Sequence, residues 1–282
     1  MANDYRIRPM KRDEIEIALD WAAAEGWNPG LNDASCFHAA DPQGFLLGLQ
    51  GDEPVATISV VKYGADFGFL GLYIVKPGFR GRGLGLALWQ AGMSSLAGRN
   101  VGLDGVPAQQ DNYRKSGFAL AWRNIRQEGV GGGEAPADYR LVPLAAVPFG
   151  ILHAYDQRFF PADRSAFLRC WIGQPGSAAI GFAERERLKG YGVLRPCREG
   201  YKIGPLFADD PAIAESLFLA LKSRAGAGDK IYLDTPEANP QALALARRHS
   251  MKVVFETARM YTKGAPPLPM HQLYGVTTFE LG

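Results

Sequence analysis

Residues 5–9 alternate apolar and polar positions as a short strand does, and residues 11–25 then switch to helical spacing, with Ile15, Ala18, Leu19 and Trp21 on one apolar stripe. Trp27-Asn28-Pro29-Gly30 reads as a turn, and a weaker helical stretch follows over residues 32–40. Strands are predicted at 44–49, 54–63 and 67–75, with Gly51-Asp52 and Gly64-Ala65-Asp66 as the turns between them. A helix over 83–97, a strand over 100–104, a short helix near 109–115 and a strand over 118–126 follow. Antiparallel strands first and a βαβ unit last predict an α/β unit with a mixed sheet.

The run Gly129-Val130-Gly131-Gly132-Gly133-Glu134-Ala135-Pro136 suits neither a helix nor a central strand, so residues 129–137 are expected to be a linker between domains 1–128 and 138–282. Beyond it the same layout returns. A helix is expected at 161–172, strands at 178–183, 191–196 and 201–207, a helix at 211–225, a strand at 230–234, a helix at 240–249 and a strand at 252–261. Residues 200–261 can be laid over 69–126 element by element, with Leu233-Asp234 falling on Leu103-Asp104. The expectation is a tandem duplication of one fold.

Composition narrows the classes. Of 282 residues, 47% are hydrophobic and 21% charged, which suits buried cores and excludes long disorder or a coiled coil. Thirty-one Lys plus Arg against 29 Asp plus Glu leave a net charge of +2, which argues against a dedicated nucleic-acid binder. Cys36, Cys170 and Cys197 form no CxxC pair and are expected to be reduced, buried thiols. His38, His153, His249 and His271 are dispersed without a metal-ligand spacing, so no metal is expected. The polar N-terminus lacks the apolar core of a signal peptide, and the longest apolar run, 141–152, is interrupted by Pro143, Pro148 and Gly150 and is too short to span a bilayer. A cytoplasmic protein without a membrane partner is expected.

The chemistry concentrates in Val75-Lys76-Pro77-Gly78-Phe79-Arg80-Gly81-Arg82-Gly83-Leu84-Gly85, between a strand and an amphipathic helix. Alternating glycines turn backbone N–H groups into one concavity, the helix N-terminus adds partial positive charge, and Arg80 and Arg82 add full charges, an arrangement suited to a pyrophosphate. No GK[ST] occurs, which excludes a P-loop. The dinucleotide fingerprint GxGxxG fails at its third glycine, where Leu86 or Leu88 stands, so a nicotinamide-dependent oxidoreductase is the remote reading.

The pattern V-x-P-x-x-R-G-R-G-x-G over Val75 to Gly85 resembles the pyrophosphate motif of the GCN5-related N-acetyltransferases (GNAT). Tyr113-Arg114-Lys115-Ser116-Gly117-Phe118 resembles the family's late Y-x-x-x-G-F motif, and the whole chain resembles the two-domain YitH-like subgroup. The resemblance implies tandem GNAT-like domains, each a mixed, mostly antiparallel sheet flanked by helices, and acetyl-CoA as cosubstrate. Arg80, Gly81, Arg82, Gly83, Leu84 and Gly85 would hold the pyrophosphate. The strand edge Leu72, Tyr73, Ile74 and Val75 would pair with the pantetheine arm, a backbone N–H near Tyr73 would polarise the thioester carbonyl, and Tyr113 would protonate the departing thiolate. Trp27 and Asn28 lie where this fold commonly receives the acceptor, a small-molecule or peptide amine, although a packed Trp beside an Asn-Pro turn explains them equally well.

The base that frees the amine has three candidates at this stage: Asp104, a water relay, or a group from the second domain. Tyr113 as a plain core aromatic and Asp104 as a helix cap or turn residue are the structural alternatives. The second half has Ala208-Asp209-Asp210-Pro211 where the phosphate loop would be and Ala246 at the position of Tyr113, so it is not expected to catalyse. Residues 274–281 alternate like a strand, with Glu280 taken as a solvated strand residue rather than an acceptor contact. A non-catalytic acyl-CoA sensor is the alternative to a transferase, and a homodimer is the assembly left open.

Overall fold

The computed structural model describes residues 4–282. The first half runs β1 (Tyr5–Pro9), α1 (Ile15–Ala24), α2 (Asp33–Ala40), β2 (Phe45–Gln50), β3 (Glu53–Tyr63), β4 (Phe67–Val75), α3 (Leu84–Ser95), β5 (Asn100–Gly105), α4 (Gln110–Lys115) and β6 (Ala119–Val130). The second continues with β7 (Leu141–Pro143), α5 (Phe149–Asp156), α6 (Ser165–Trp171), β8 (Ala178–Glu184), β9 (Arg187–Pro196) and β10 (Tyr201–Ala208). It closes with α7 (Pro211–Lys222), β11 (Lys230–Pro236), α8 (Pro240–Arg248), β12 (Lys252–Tyr261) and β13 (Leu273–Gly275). The fold is α/β in two similar halves, and its sheet is mixed and mostly antiparallel. Only β4–β5 and β10–β11 pair in parallel, each across a crossover helix, α3 or α7.

The sequence builds the crossover in the first half closely. Leu84, Leu88 and Trp89 give α3 an apolar face. Gly92 lets that face approach the sheet, because a Cβ there would stand 2.8 Å from Val60 Cγ1. Gly85 does the same at the first turn, where a Cβ would meet Val75 and the Tyr73 hydroxyl.

The two halves exchange their last long strands. All strands belong to one sheet, in the order β1-β2-β3-β4-β5-β12-β6-β11-β10-β9-β8-β7, with β13 beside β10. Strand β12 of the second half thus lies beside β5 of the first, and β6 lies beside β11. Between them β6 and β12 run antiparallel with Thr257 opposite Asn124, Phe255 opposite Arg126 and Arg259 opposite Trp122. If Arg259 is laid on Arg126 and Thr257 on Asn124, this register maps onto itself, so a pseudo-two-fold axis passes between Asn124 and Thr257.

Two ion pairs obey the same axis. Arg126 grips Asp234 of β11 through two bonds of 2.7 and 2.8 Å, and Arg259 grips Asp104 of β5 at 3.0 and 2.6 Å. All four side chains are almost fully buried. One hydrophobic core also crosses the halves, where Phe37 of α2 stacks on Trp171 of α6 at 6.4 Å between centroids.

Three expectations are corrected here. Gly129 and Val130 are strand residues paired with Ile231 and Lys230, not linker. The glycines after them are anchored as well: Gly131 donates to the Asp229 carbonyl and Gly132 to that of Lys222, and a Cβ on Gly131 would strike Ala225. These glycines serve close backbone approach, not chain freedom. Cys36 and Cys170 are not reduced thiols but a disulfide joining α2 to α6, with Cα atoms 5.2 Å apart, while Cys197 is free and buried. Residues 276–281 do not extend β13 as a strand, and Glu280 is buried at 4% exposure. Among the described residues, no helix is long and apolar enough to cross a membrane.

Candidate active site

Strands β4 and β5 pair only from Phe67↔Asn100 to Leu70↔Leu103 and then diverge. The cause is a bulge in β4: between its pairs with β3 at Gly71↔Ser59 and Ile74↔Thr57 it carries one extra residue. Leu72 sits in that bulge with φ +46°, a costly conformation for a Leu, and its carbonyl accepts a 2.8 Å bond from Thr57 Oγ1. The seam opens into a cleft of about 780 Å³ that contains Leu72, Tyr73, Ile74 and Val75 on one wall and Asp104 and Tyr113 on the other.

At one end the cleft meets the glycine loop. Gly81 and Gly83 have φ of +75° and +81°, and Gly83 caps α3 from the left-handed region. The N–H of Arg80 is used by the Pro77 carbonyl. Among the described residues, the backbone N–H groups of residues 81–86 meet no protein acceptor, which leaves a nest of donors at a helix N-terminus. The arginines stand differently from expectation. Arg80 pairs with Glu25 and donates 2.8 Å to the Val75 carbonyl, and Arg82 lies 5.1 Å over the Phe79 ring.

Tyr113 stacks on Trp89 at 5.7 Å and edges Phe118. Burial, with Tyr73 adding to it, pushes its phenol up to about 12, so it stays protonated at neutral pH. Asp104 does not behave as a free base. Its fully buried carboxylate takes Arg259, Asn124 at 2.8 Å and Thr257 at 3.3 Å. Burial holds its carboxyl above the usual range against the pull of Arg259.

The other end of the cleft is built by the second half. Phe255 and Thr257 arrive on the exchanged β12, and Phe279 and Glu280 on the segment after β13, opposite Trp27. A Cβ on Gly71 would strike the Glu280 backbone, so this glycine is what lets the segment lie on β4. Asn28 is not among the residues lining the cleft. Its amide exchanges bonds of 3.0 and 2.9 Å with the Glu199 backbone, and its carbonyl accepts from Lys202, which makes it a junction residue. Glu280, for which the sequence favoured a solvated strand position over an acceptor contact, lines the cleft instead; its signal was a single charge in the otherwise uncharged stretch 273–282.

The equivalent seam of the second half is filled. Strands β10 and β11 pair only from Tyr201 to Ile203, and β10 is then bulged toward β9 as β4 is toward β3. There β13 pairs with β10 and the N–H of Val276 donates to the Asp234 carbonyl. At the head of α7, Asp210 accepts the N–H groups of Ala212 and Ile213, both at 2.9 Å, so a built-in carboxylate occupies the anion position. Met251 N–H bonds the Ala246 carbonyl as Phe118 N–H bonds that of Tyr113, which aligns Ala246 with Tyr113.

A parallel seam that splays at the head of a crossover helix, present twice in one sheet and ending on an open backbone anion nest in the first half, fits a tandem acyltransferase fold, and the chain belongs to the GNAT family with one GNAT domain in each half. Residues 12–118 match the acetyltransferase (GNAT) family and residues 152–275 an acetyltransferase (GNAT) domain. The chain is 30% identical over 278 residues to the holothin acyltransferase of Pseudoalteromonas sp. (strain SANK 73390), covering 99% of this chain and 95% of that one. In fold it is similar to a putative acetyltransferase from Pyrococcus horikoshii, with a TM-score of 0.84 at 23% identity over 100% of this chain and 97% of the other. A tandem GNAT protein from the clavulanic acid biosynthesis pathway gives a TM-score of 0.63 at 15% identity, covering 93% and 99%.

Proposed function

We propose that this GNAT acyltransferase moves the acetyl group of acetyl-CoA to the amine of a small molecule, and that the chemistry is confined to the cleft of the first half. The observation that carries this reading is the row of unpaired N–H groups at residues 81–86, at the end of an open seam. The pyrophosphate accepts these donors, and the pantetheine arm pairs with the β4 edge from Leu72 to Val75. The bulge at Leu72 turns a backbone N–H near Tyr73 toward the thioester carbonyl, where negative charge develops in the transition state.

The amine enters from the end lined by Trp27, Phe255 and Phe279 and attacks the carbonyl carbon directly in a ternary complex. Tyr113 supplies the proton for the thiolate. A phenol near 12 yields its proton to a thiolate of about 8.5 only as it is itself reprotonated, and the attacking nitrogen, which must shed protons, is the source. Asp104 is a positioning residue that holds Arg259 and β12 in place. The aromatic walls favour a small amine over a peptide, in keeping with the name of the holothin relative. The match of both halves to GNAT models, and the coverage by a tandem GNAT protein, support the two-domain subgroup.

Calorimetric titration of acetyl-CoA tests this. Wild type is expected to bind one equivalent per chain, and Gly83→Asp, which puts a carboxylate into the nest, to lose binding by at least tenfold. Two equivalents would overturn the reading of the second half; no binding by wild type would overturn the proposal.

A further inference from the structure

We propose that Glu280, delivered by the segment after β13 of the non-catalysing half, is the general base that deprotonates the incoming amine. This rests on the reading just given and supplies the group it lacks.

Three carboxylates line the cleft: Glu25, Asp104 and Glu280. Glu25 is held by Arg80, and Asp104 by Arg259, Asn124 and Thr257. Among the described residues, Glu280 has no cationic partner within ion-pair distance; its one side-chain partner is the Thr278 hydroxyl. The residue is nonetheless buried at 4% exposure, an unfavourable position for an unpaired carboxylate unless a ligand completes it.

The two arginines that feel its charge are held by other carboxylates. Arg126 of β6, 4.8 Å over the Phe279 ring, binds Asp234 and the Trp27 carbonyl. Arg195 of β9 also feels its charge and binds Asp33 through bonds of 2.9 and 3.2 Å. The backbone of Glu280 lies on Gly71, the neighbour of the bulged Leu72 and two positions before the Tyr73 N–H that would polarise the thioester carbonyl. Glu280 and Tyr113 line the same cleft, and the proposal puts the carboxylate at its acceptor end. Trp27, Phe255 and Phe279, which line the same cleft, suit the apolar body of an amine whose ammonium meets Glu280.

The protons balance. An alkylammonium gives one proton to Glu280, directly or through one water, and Glu280 returns it to solvent. The freed lone pair forms the N–C bond, and the C–S bond breaks toward sulfur. The thiolate takes the Tyr113 proton, and the second nitrogen proton restores the phenol as the amide forms.

The test is Glu280→Gln assayed by thiol release with saturating acetyl-CoA against a panel of small alkylamines and arylamines at neutral pH. Alkylamines arrive protonated and need a base, whereas arylamines arrive neutral. The expected result is a fall of about 100-fold in kcat for alkylamines with arylamine turnover and acetyl-CoA affinity within about threefold of wild type. Raising the pH toward the alkylamine range recovers the variant, and Glu280→Asp recovers part of the rate. An equal loss for both amine classes, or no loss for either, overturns the base assignment and leaves the transferase reading standing. Wild type that turns over no amine overturns both.

Discussion

Tyr113 carries its argument in its surroundings. Stacking on Trp89 and burial fix the ring and raise the phenol to about 12, and both follow from a half-apolar helix end packed on α3. Tyr113→Phe keeps the stack and removes only the proton, so kcat is expected to fall about 100-fold while calorimetric affinity for acetyl-CoA stays within a few-fold. A raised phenol stays in its acid form as pH rises, so the kcat profile of wild type should show no loss from this group below about pH 11. A basic limb between pH 8 and 9 that disappears in Tyr113→Phe would contradict the raised phenol, whereas a Tyr113→Phe variant with wild-type kcat would contradict the assignment. Residues of this kind could be singled out as candidates in the sequence, because the glycine loop and the Y-x-x-x-G-F stretch are each defined by neighbours a few positions away. The place of Glu280 in the cleft wall could not be fixed there, because it depends on Gly71, about two hundred positions earlier.

Period-two alternation identified β5, β6, β11 and β12 as strands but carries no information on which edge each one meets. A strand that pairs within its own half and one that pairs across halves have the same pattern. The exchange was therefore hidden, although its trace was visible as an arginine at matching places in the two last strands, Arg126 and Arg259. Their partners Asp234 and Asp104 have no solvent to turn to. Removing one member of a buried pair leaves a desolvated charge, so Asp234→Asn and Asp104→Asn should each cost about 3–5 kcal/mol in urea unfolding. Replacing both members of the Arg126–Asp234 pair by apolar residues of similar volume should cost far less. Asp104→Asn that keeps wild-type stability but loses turnover would return that residue to the list of bases. The linker fails for a related reason: four glycines look flexible in sequence, whereas here they fit a chain under the carbonyls of Lys222 and Asp229.

At the scale of the molecule, one sheet, one shared core and one disulfide bind the halves together. Such a body should unfold in a single transition with coincident fluorescence and circular-dichroism midpoints. Residues 1–130 alone, lacking β12 to cover β5, are expected to be insoluble, and coexpression with 131–282 should restore a soluble, acetyl-CoA-binding pair. Two separated transitions, or a soluble monomeric 1–130 that binds acetyl-CoA, would refute this account. The pseudo-axis between Asn124 and Thr257 also has a bearing on ancestry. Two unfused copies of one half would meet across it as a homodimer, each lending its final strand to the other and each holding an open seam. Once both copies share one gene they no longer have to evolve as equals. One could trade its anion nest for Asp210 and close its seam with β13, while the segment beyond was recruited to line its sister's cleft.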